Sequence, residues 1–211
     1  MRLLRPRATV FALLFAAAAL PWPSLPAAAR SESVASADAV SRAWRVDPAR
    51  SRLGFEGTLG GGGFEGQFTR FRAGIDFDPN DLPRSRFRVE VDLASADTKD
   101  AERDGALRGP EFFATGRWPV ARFETTGFRA LGGDRYEARG NLALRDRTRE
   151  VVVAFRFTPS PDGRSASLDG GTVVNRLEFG VGQGEWQDTK WLADAVRVRF
   201  ALMLTRSESQ R

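Results

Sequence analysis

Phe87-Arg88-Val89-Glu90-Val91-Asp92-Leu93 alternates without a fault, with four apolar side chains at the odd positions and three charged ones between them. Side chains of a strand point to opposite faces with a period of two, so this stretch reads as a strand with one dry face and one wet face. The same period recurs at Tyr136, Ala138, Gly140, Leu142 and Leu144, and again at Val151, Val153, Phe155 and Phe157. It returns at Val196, Val198, Phe200, Leu202 and Leu204, set against Arg197 and Arg199. Weaker candidates run over 52–58, 64–77, 121–131 and 165–174, and the second is long enough to bend, bulge or split in two. About eight strands result. Gly60-Gly61-Gly62-Gly63, Asp78-Pro79-Asn80-Asp81, Gly132-Gly133-Asp134 and the segment 159–163 separate them. Connections this short and this rich in turn formers join antiparallel neighbours.

One segment breaks the pattern. Between Leu93 and Ala121, Asp97 or Asp100 is placed to cap a short helix near residues 100–108, through Ala101, Glu102, Arg103, Asp104 and Leu107, stopped by Gly109-Pro110. About eight antiparallel strands leave sheet edges to protect, and closure into a barrel removes them. The expected fold is all-β: a closed antiparallel β-barrel of about eight strands with one short helix inserted near residues 100–108. A barrel of that size either fills with side chains or holds one small ligand.

The chain opens with Arg2, Arg5 and Arg7, no acid, an apolar run of 13 residues from Ala8 to Leu20, and then Pro21, Pro23, Pro26 and Ala27-Ala28-Ala29. This is the pattern of a secretory signal peptide, and the run is short of the roughly 20 residues a membrane-crossing helix needs. Cleavage is expected after Ala29, with Ala37 as a second candidate site and an uncleaved anchor as the alternative. Residues 1–29 are thus read as signal peptide, 30–43 as a flexible Ser- and Ala-rich leader, 44–206 as the barrel domain and 207–211 as a polar tail. The expected location is the periplasm.

Loss of the three leader arginines lowers the net charge from +5 to +2. The remaining arginines alternate with apolar positions and form no block, so nucleic acid is not an expected partner. The sequence has no Cys and no His. No disulfide or lipidated cysteine is available, and the commonest general base, the commonest metal ligand and every Ser-His or Cys-His pair are missing. No catalytic residue, metal or cofactor is expected.

The segment Ser95-Ala-Asp-Thr-Lys-Asp-Ala-Glu-Arg-Asp-Gly-Ala-Leu-Arg-Gly-Pro-Glu-Phe-Phe113 resembles the signature of the YceI-like family. Four further segments follow that family's order: Trp44 to Ser51, Phe77-Asp78-Pro79, Trp118-Pro119-Val120-Ala121-Arg122-Phe123, and Asn175 to Gly182. The resemblance spans about residues 44–206. It implies a lipocalin-like eight-stranded barrel, typically exported, whose interior holds a polyisoprenoid such as a quinone tail, with some relatives accompanying membrane cytochrome b561 proteins. Two positions depart from the pattern. Arg50 stands where the family usually has His, and Asp146-Arg147-Thr148 replaces a Gly-Val-Thr turn. No role of that His transfers.

The candidate cavity residues follow from the inward phase and from this resemblance. They are Phe55, Phe68 and Phe77 early in the domain, Val89, Val91, Phe123 and Leu142 in the middle, and Phe155, Phe157, Phe179, Val198 and Phe200 late. Phe112, Phe113 and Trp118, after the helix, either form a lid at the mouth or anchor the helix. The inward aromatics have two readings, since they either line a tube or simply fill the barrel. Trp186 and Trp191, in the Gly-rich stretch 180–195, suit a second mouth loop or contact with a membrane or partner.

Arg103, Asp104 and Arg108, with Asn175 and Arg176, read as a charged framework fixed by carboxylate–guanidinium pairing, ahead of an anion site. Glu56 and Glu65 are a formal carboxylate pair without evidence of convergence. Three functions follow. The first is an exported carrier or sequestering protein for a polyisoprenoid or quinone-like lipid. The second is a non-catalytic accessory protein docking on a membrane cytochrome b561-type or other envelope partner, and a homodimer is a further partner state. An enzyme acting on a lipid or sugar is the third.

Overall fold

β11 (Ala195–Arg206) carries two different partners in succession along one edge, and that arrangement sets the architecture. In the computed structural model, which describes residues 43–206, β1 (Ala43–Val46) pairs with its end and β2 (Arg52–Leu59) with its middle. Opposite that edge lies β10 (Ser165–Asn175), in unbroken register from Ser165↔Thr205 to Asn175↔Ala195. The expected signal peptide, the leader up to residue 42 and the polar tail lie outside the described residues.

The same splitting recurs in the next two positions. β3 (Gly62–Phe68) pairs with β2, and β4 (Phe71–Asp76) pairs with β1. β5 (Arg86–Asp92) pairs with β4, and the short β6 (Ala96–Asp97) pairs with β3. Then β7 (Val120–Gly132), β8 (Arg135–Leu144) and β9 (Arg147–Pro159) form a meander leading to β10. The ring runs β1, β4, β5, β7, β8, β9, β10, β11 and closes by the β1–β11 pairing, every step antiparallel. With β2, β3 and β6 continuing the tracks of β1, β4 and β5, the strands make a closed eight-track barrel, as expected.

Buried hydroxyls mend the three breaks. At the first, Ser51 Oγ accepts from the Met203 amide at 3.1 Å. At the second and third, Ser95 Oγ accepts from the Arg70 amide at 3.0 Å and donates to the Asp92 carbonyl at 2.6 Å, while its own carbonyl accepts from Thr69. An amide stranded at a strand break needs such a partner, because leaving it unpaired inside a protein costs about 1–3 kcal/mol. The break at Thr69-Arg70 also inverts the phase. Phe64 and Phe68 face inward on even numbers, Phe71, Ala73 and Ile75 on odd ones. This is the split foreseen for 64–77.

Helix α1 (Ala101–Arg108) starts at Asp100, whose carboxylate accepts from the Glu102 and Arg103 amides at 3.1 and 3.0 Å. Asp97, the other candidate cap, instead holds Lys99 Nζ at 2.7 Å. Leu107 is the buried side chain of the helix and packs it onto one end of the barrel.

The interior holds two clusters, one above the other. The lower is aromatic: Trp44, Phe77, Phe87, Tyr136, Phe155 and Phe157 pack with Leu168, Leu202 and Leu204. Phe77 alone meets the rings of Phe87, Phe128, Tyr136, Phe155 and Phe157, all between 5.0 and 5.8 Å. The upper cluster gathers Phe55, Leu93, Phe112, Phe113, Phe179 and Leu192 beneath α1. Glycines admit the rings there. Phe55 lies over Gly66 on β3, where an added Cβ would overlap the ring.

Candidate functional site

A packed barrel buries every inward side chain, and this one does not. On β11 the inward Val196, Val198 and Phe200 are half-buried, whereas Leu202 and Leu204 are buried. On β9, Val151 and Val153 are half-buried and Phe155 and Phe157 buried. Inward residues that solvent still reaches mean an internal cavity. Its volume is about 250 Å³ and its wall is almost wholly carbon.

The structure distributes the expected cavity residues between two roles. Phe55, Phe68, Val89, Val91 and Phe123 line the cavity, as do Phe112, Phe113, Leu142, Val198 and Phe200. Phe77, Phe155 and Phe157 do not. They belong to the lower aromatic cluster, so both readings of the inward aromatics hold, each for one half of the barrel. Phe179 is 1% exposed and anchors the short turn 176–179 from beneath. Trp118 is also off the wall, sandwiched between Arg117 at 4.5 Å and Arg145 at 4.9 Å.

Several lining residues escaped the sequence reading. Val151, Val153 and Val196 carried the right phase on strands already identified. Phe64 and Phe71 lie on either side of the phase inversion at Thr69-Arg70. Val181 and Leu192 lie in a loop where no period operates.

That loop caps the same end as α1. Gly182 and Gln183 donate to the Glu111 carbonyl at 2.7 and 2.9 Å, and the Trp186 ring packs on Phe112 at 5.4 Å. The stretch 180–195 is therefore part of one cap, not a second mouth, because the strand ends at 144–147 and 175 bring it over the helix. Arg145 laces the two pieces, donating to the carbonyls of Phe112 and Gly180. Burial lowers its guanidinium from the ordinary arginine value, opposed by Asp146 and reinforced by the like charges of Arg147 and Arg117. Trp186 is half-buried, whereas Trp191 is 58% exposed.

Arg176 is 4% exposed and faces the cavity's upper rim. The expectation of carboxylate pairing fails here. Its guanidinium donates to five carbonyls: Ala193 at 3.0 Å, Val181 at 3.0 Å, Gly182 at 3.2 Å, and Trp186 and Leu192 at 2.6 Å each. Burial pushes it below the ordinary arginine value, and Asp194 partly restores it. A guanidinium has five N–H donors, all of which are spent on the loop, so none is left for an anion. Asn175 likewise donates to Glu178, at 3.1 Å. Arg103 pairs with Asp100 at 3.2 Å, Asp104 accepts from the Thr98 amide and hydroxyl at 2.8 and 2.7 Å, and Arg108 donates to the Ala94 carbonyl at 3.2 Å. These groups build the cap.

Glu56 and Glu65 do meet, directly opposite each other on β2 and β3. They sit on the outer wall, away from the cavity, and Glu56 is held by Arg199 at 3.0 Å. Among the described residues no cluster of Asp and Glu is arranged to hold a metal ion.

A family model described as the YceI-like domain matches residues 44–204. A UPF0312 protein of Azotobacter vinelandii is 34% identical over 120 residues, which are 55% of this chain and 62% of that protein, so the match spans less than two thirds of the relative. A UPF0312 protein of Vibrio cholerae is 28% identical over 127 residues, 58% of this chain and 67% of its own length. The crystal structure of Burkholderia cenocepacia BcnA has a TM-score of 0.72 at 29% identity, covering 75% of this chain and 99% of that one. A polyisoprenoid binding domain from Saccharophagus degradans, implicated in plant cell wall breakdown, has a TM-score of 0.63 at 16% identity over 78% of this chain and 98% of that one, a likeness of fold.

Proposed function

Since the chain belongs to the YceI-like family, we propose that it is an exported carrier or sequestering protein that holds the apolar chain of a polyisoprenoid, such as a quinone tail, in its barrel. The observation that carries this reading is the half-buried carbon wall above the aromatic cluster, with the one guanidinium at its rim fully engaged by the cap. Each methylene moved from water to such a wall contributes about 0.8 kcal/mol gross, so two or three isoprene units contribute about 8–12 kcal/mol, comparable with an association cost of about 4–15 kcal/mol. The binding is non-catalytic and takes no cofactor. The Saccharophagus domain, described as binding a polyisoprenoid, supports the ligand class. The charged and then apolar leader supports export to the periplasm.

The test is native mass spectrometry of gently purified protein beside mass spectrometry of its organic extract. A stoichiometric prenyl compound is the expected result. An empty protein that also takes up no added quinone would overturn the carrier reading and favour docking on a cytochrome b561-type or other envelope partner, for which the exposed Trp191 ring is the supporting feature.

A further inference from the structure

Odd-numbered residues of β3 turn their backbone groups away from β2. The Thr58 carbonyl accepts from the Ala193 amide at 3.0 Å, on the far edge of β2, so Thr58 and Gly63 face each other without exchanging hydrogen bonds. Thr69, just past the end of β3 and of the same parity as Gly63, donates its amide to the Ser95 carbonyl at 3.1 Å, and Gln67 lies opposite Asp97 of β6. Glu65 and Gly63 come next along that edge. Among the described residues no strand lies opposite them there: both are exposed, and a Cβ added to Gly63 would meet nothing within 4 Å.

β6 is too short to cover them. The Asp97 carboxylate accepts from the Lys99 amide at 3.0 Å and from Lys99 Nζ at 2.7 Å, Lys99 takes a left-handed backbone at φ 61°, and Asp100 then caps α1. The chain therefore leaves β3 after two paired residues. What it leaves is Gly62-Gly63-Phe64-Glu65-Gly66, an open strand edge without the proline, lysine or bulge that usually blunts one.

Charge selects the strand that fits. Glu65, on the outer face of this edge, and Glu102, in the first turn of α1, are exposed carboxylates with no ion pair among the described residues, whereas Glu56 opposite Glu65 is engaged by Arg199 at 3.0 Å. Opposite charges set side by side on neighbouring strands attract, and like charges repel. On the inner face the neighbour is the half-buried Phe64 ring, beneath the Arg103 guanidinium at 5.2 Å. An added strand is therefore matched when basic residues point outward and apolar residues alternate with them.

We infer that the β3 edge at Gly63 and Glu65 is a docking edge for an extended segment of another protein, one that carries Lys or Arg at alternate positions and is taken up as an additional strand. The backbone groups of Gly63 and Glu65 hold the segment, and the Glu65 carboxylate selects its sequence. This is independent of the isoprenoid reading and stands or falls without it.

The experiment uses the whole protein and two end-blocked nine-residue peptides, one alternating Lys with Val and one alternating Glu with Val. Saturation with the Lys peptide is expected to slow amide exchange at Gly63 and Glu65 at least roughly tenfold, with the Glu peptide binding at least roughly fivefold more weakly. Gly63→Pro removes an outward donor while sparing the ladder to β2, and is expected to abolish the protection in a barrel that unfolds like the parent. Glu65→Lys, a surface change that keeps every backbone group, is expected to reverse the preference between the peptides even where Gly63→Pro fails to fold. No slowing with either peptide, or slowing that survives Gly63→Pro, would overturn the docking edge. Equal affinity for the two peptides would overturn the basic partner. Both amides protected in the free protein, with a mass that rises with concentration, would assign the edge to a second copy of this chain instead.

Discussion

Trp44 Nε1 donates to the carbonyl of Phe77 at 3.1 Å, a buried hydrogen bond that ties the first strand to the turn after β4 across the bottom of the barrel. The indole also stands edge-on to Phe157 at 5.5 Å, so ring and donor serve different neighbours. Trp44→Phe keeps most of the ring and removes the donor. We expect a loss of about 1–3 kcal/mol in urea unfolding, from the carbonyl left unpaired in the core. A loss under about 0.5 kcal/mol would show that Phe77 finds another partner.

Arg176 holds the cap together from inside, so its removal leaves five carbonyls without a donor. Arg176→Met is expected to cost about 2–4 kcal/mol and to speed amide hydrogen exchange through the segment 176–194 while β8 to β10 stay protected. Arg176→Lys should rescue little, since an ammonium has three donors and lacks the planar fork. Uniform exchange across the whole barrel in the Met variant would argue against a local role.

Val198 stands on the half-buried inner wall of β11, opposite Phe55 and beside Thr172. A carboxylate at this point meets a wall that is almost wholly carbon. Val198→Asp should weaken prenyl binding at least roughly 100-fold, because the ligand would have to strip the charge of its water. Native mass spectrometry of the folded variant reads this directly, and undiminished retention would place the ligand elsewhere.

Asp100 supplies the pH dependence of the cap. The Arg103 amide, with smaller help from the Arg103 charge and the Glu102 amide, holds its carboxyl below the ordinary value of 3.8. A carboxylate whose folded value is depressed contributes its stability above the unfolded value and loses it as pH falls through the folded one. Asp100→Ala should therefore loosen α1 at neutral pH, and the difference from the parent chain should shrink steadily below about pH 4. Exchange rates of the Glu102 and Arg103 amides across pH are the readout, and a difference independent of pH would assign the cap to backbone geometry alone.

The long strands were legible because the forces that make them are periodic. Every second residue of β5, β9 and β11 meets carbon, and composition records that directly. Phe64 and Phe71 were lost for the converse reason, since the break at Thr69-Arg70 reverses the phase and a hydroxyl from Ser95, far along the chain, mends it. Nor does periodicity separate lining from plug: Val153 and Phe155 are successive inward positions on one strand, and only the three-dimensional company of Phe77, Phe87 and Phe128 buries the second. Arg176 read as the partner of a carboxylate because its true partners are carbonyls, which every residue has and no residue type announces.

The seam of the ring joins Trp44 to Arg206, nearly the whole described chain apart. The hairpins from β7 to β11 are built from close neighbours and are quick to form, whereas the seam is a search over the full domain. Until it zips, β1 and β11 both carry naked edges of the kind that recruit foreign strands. A newly made chain is thus an open ribbon with adhesive margins until β1 and β2 close on β11.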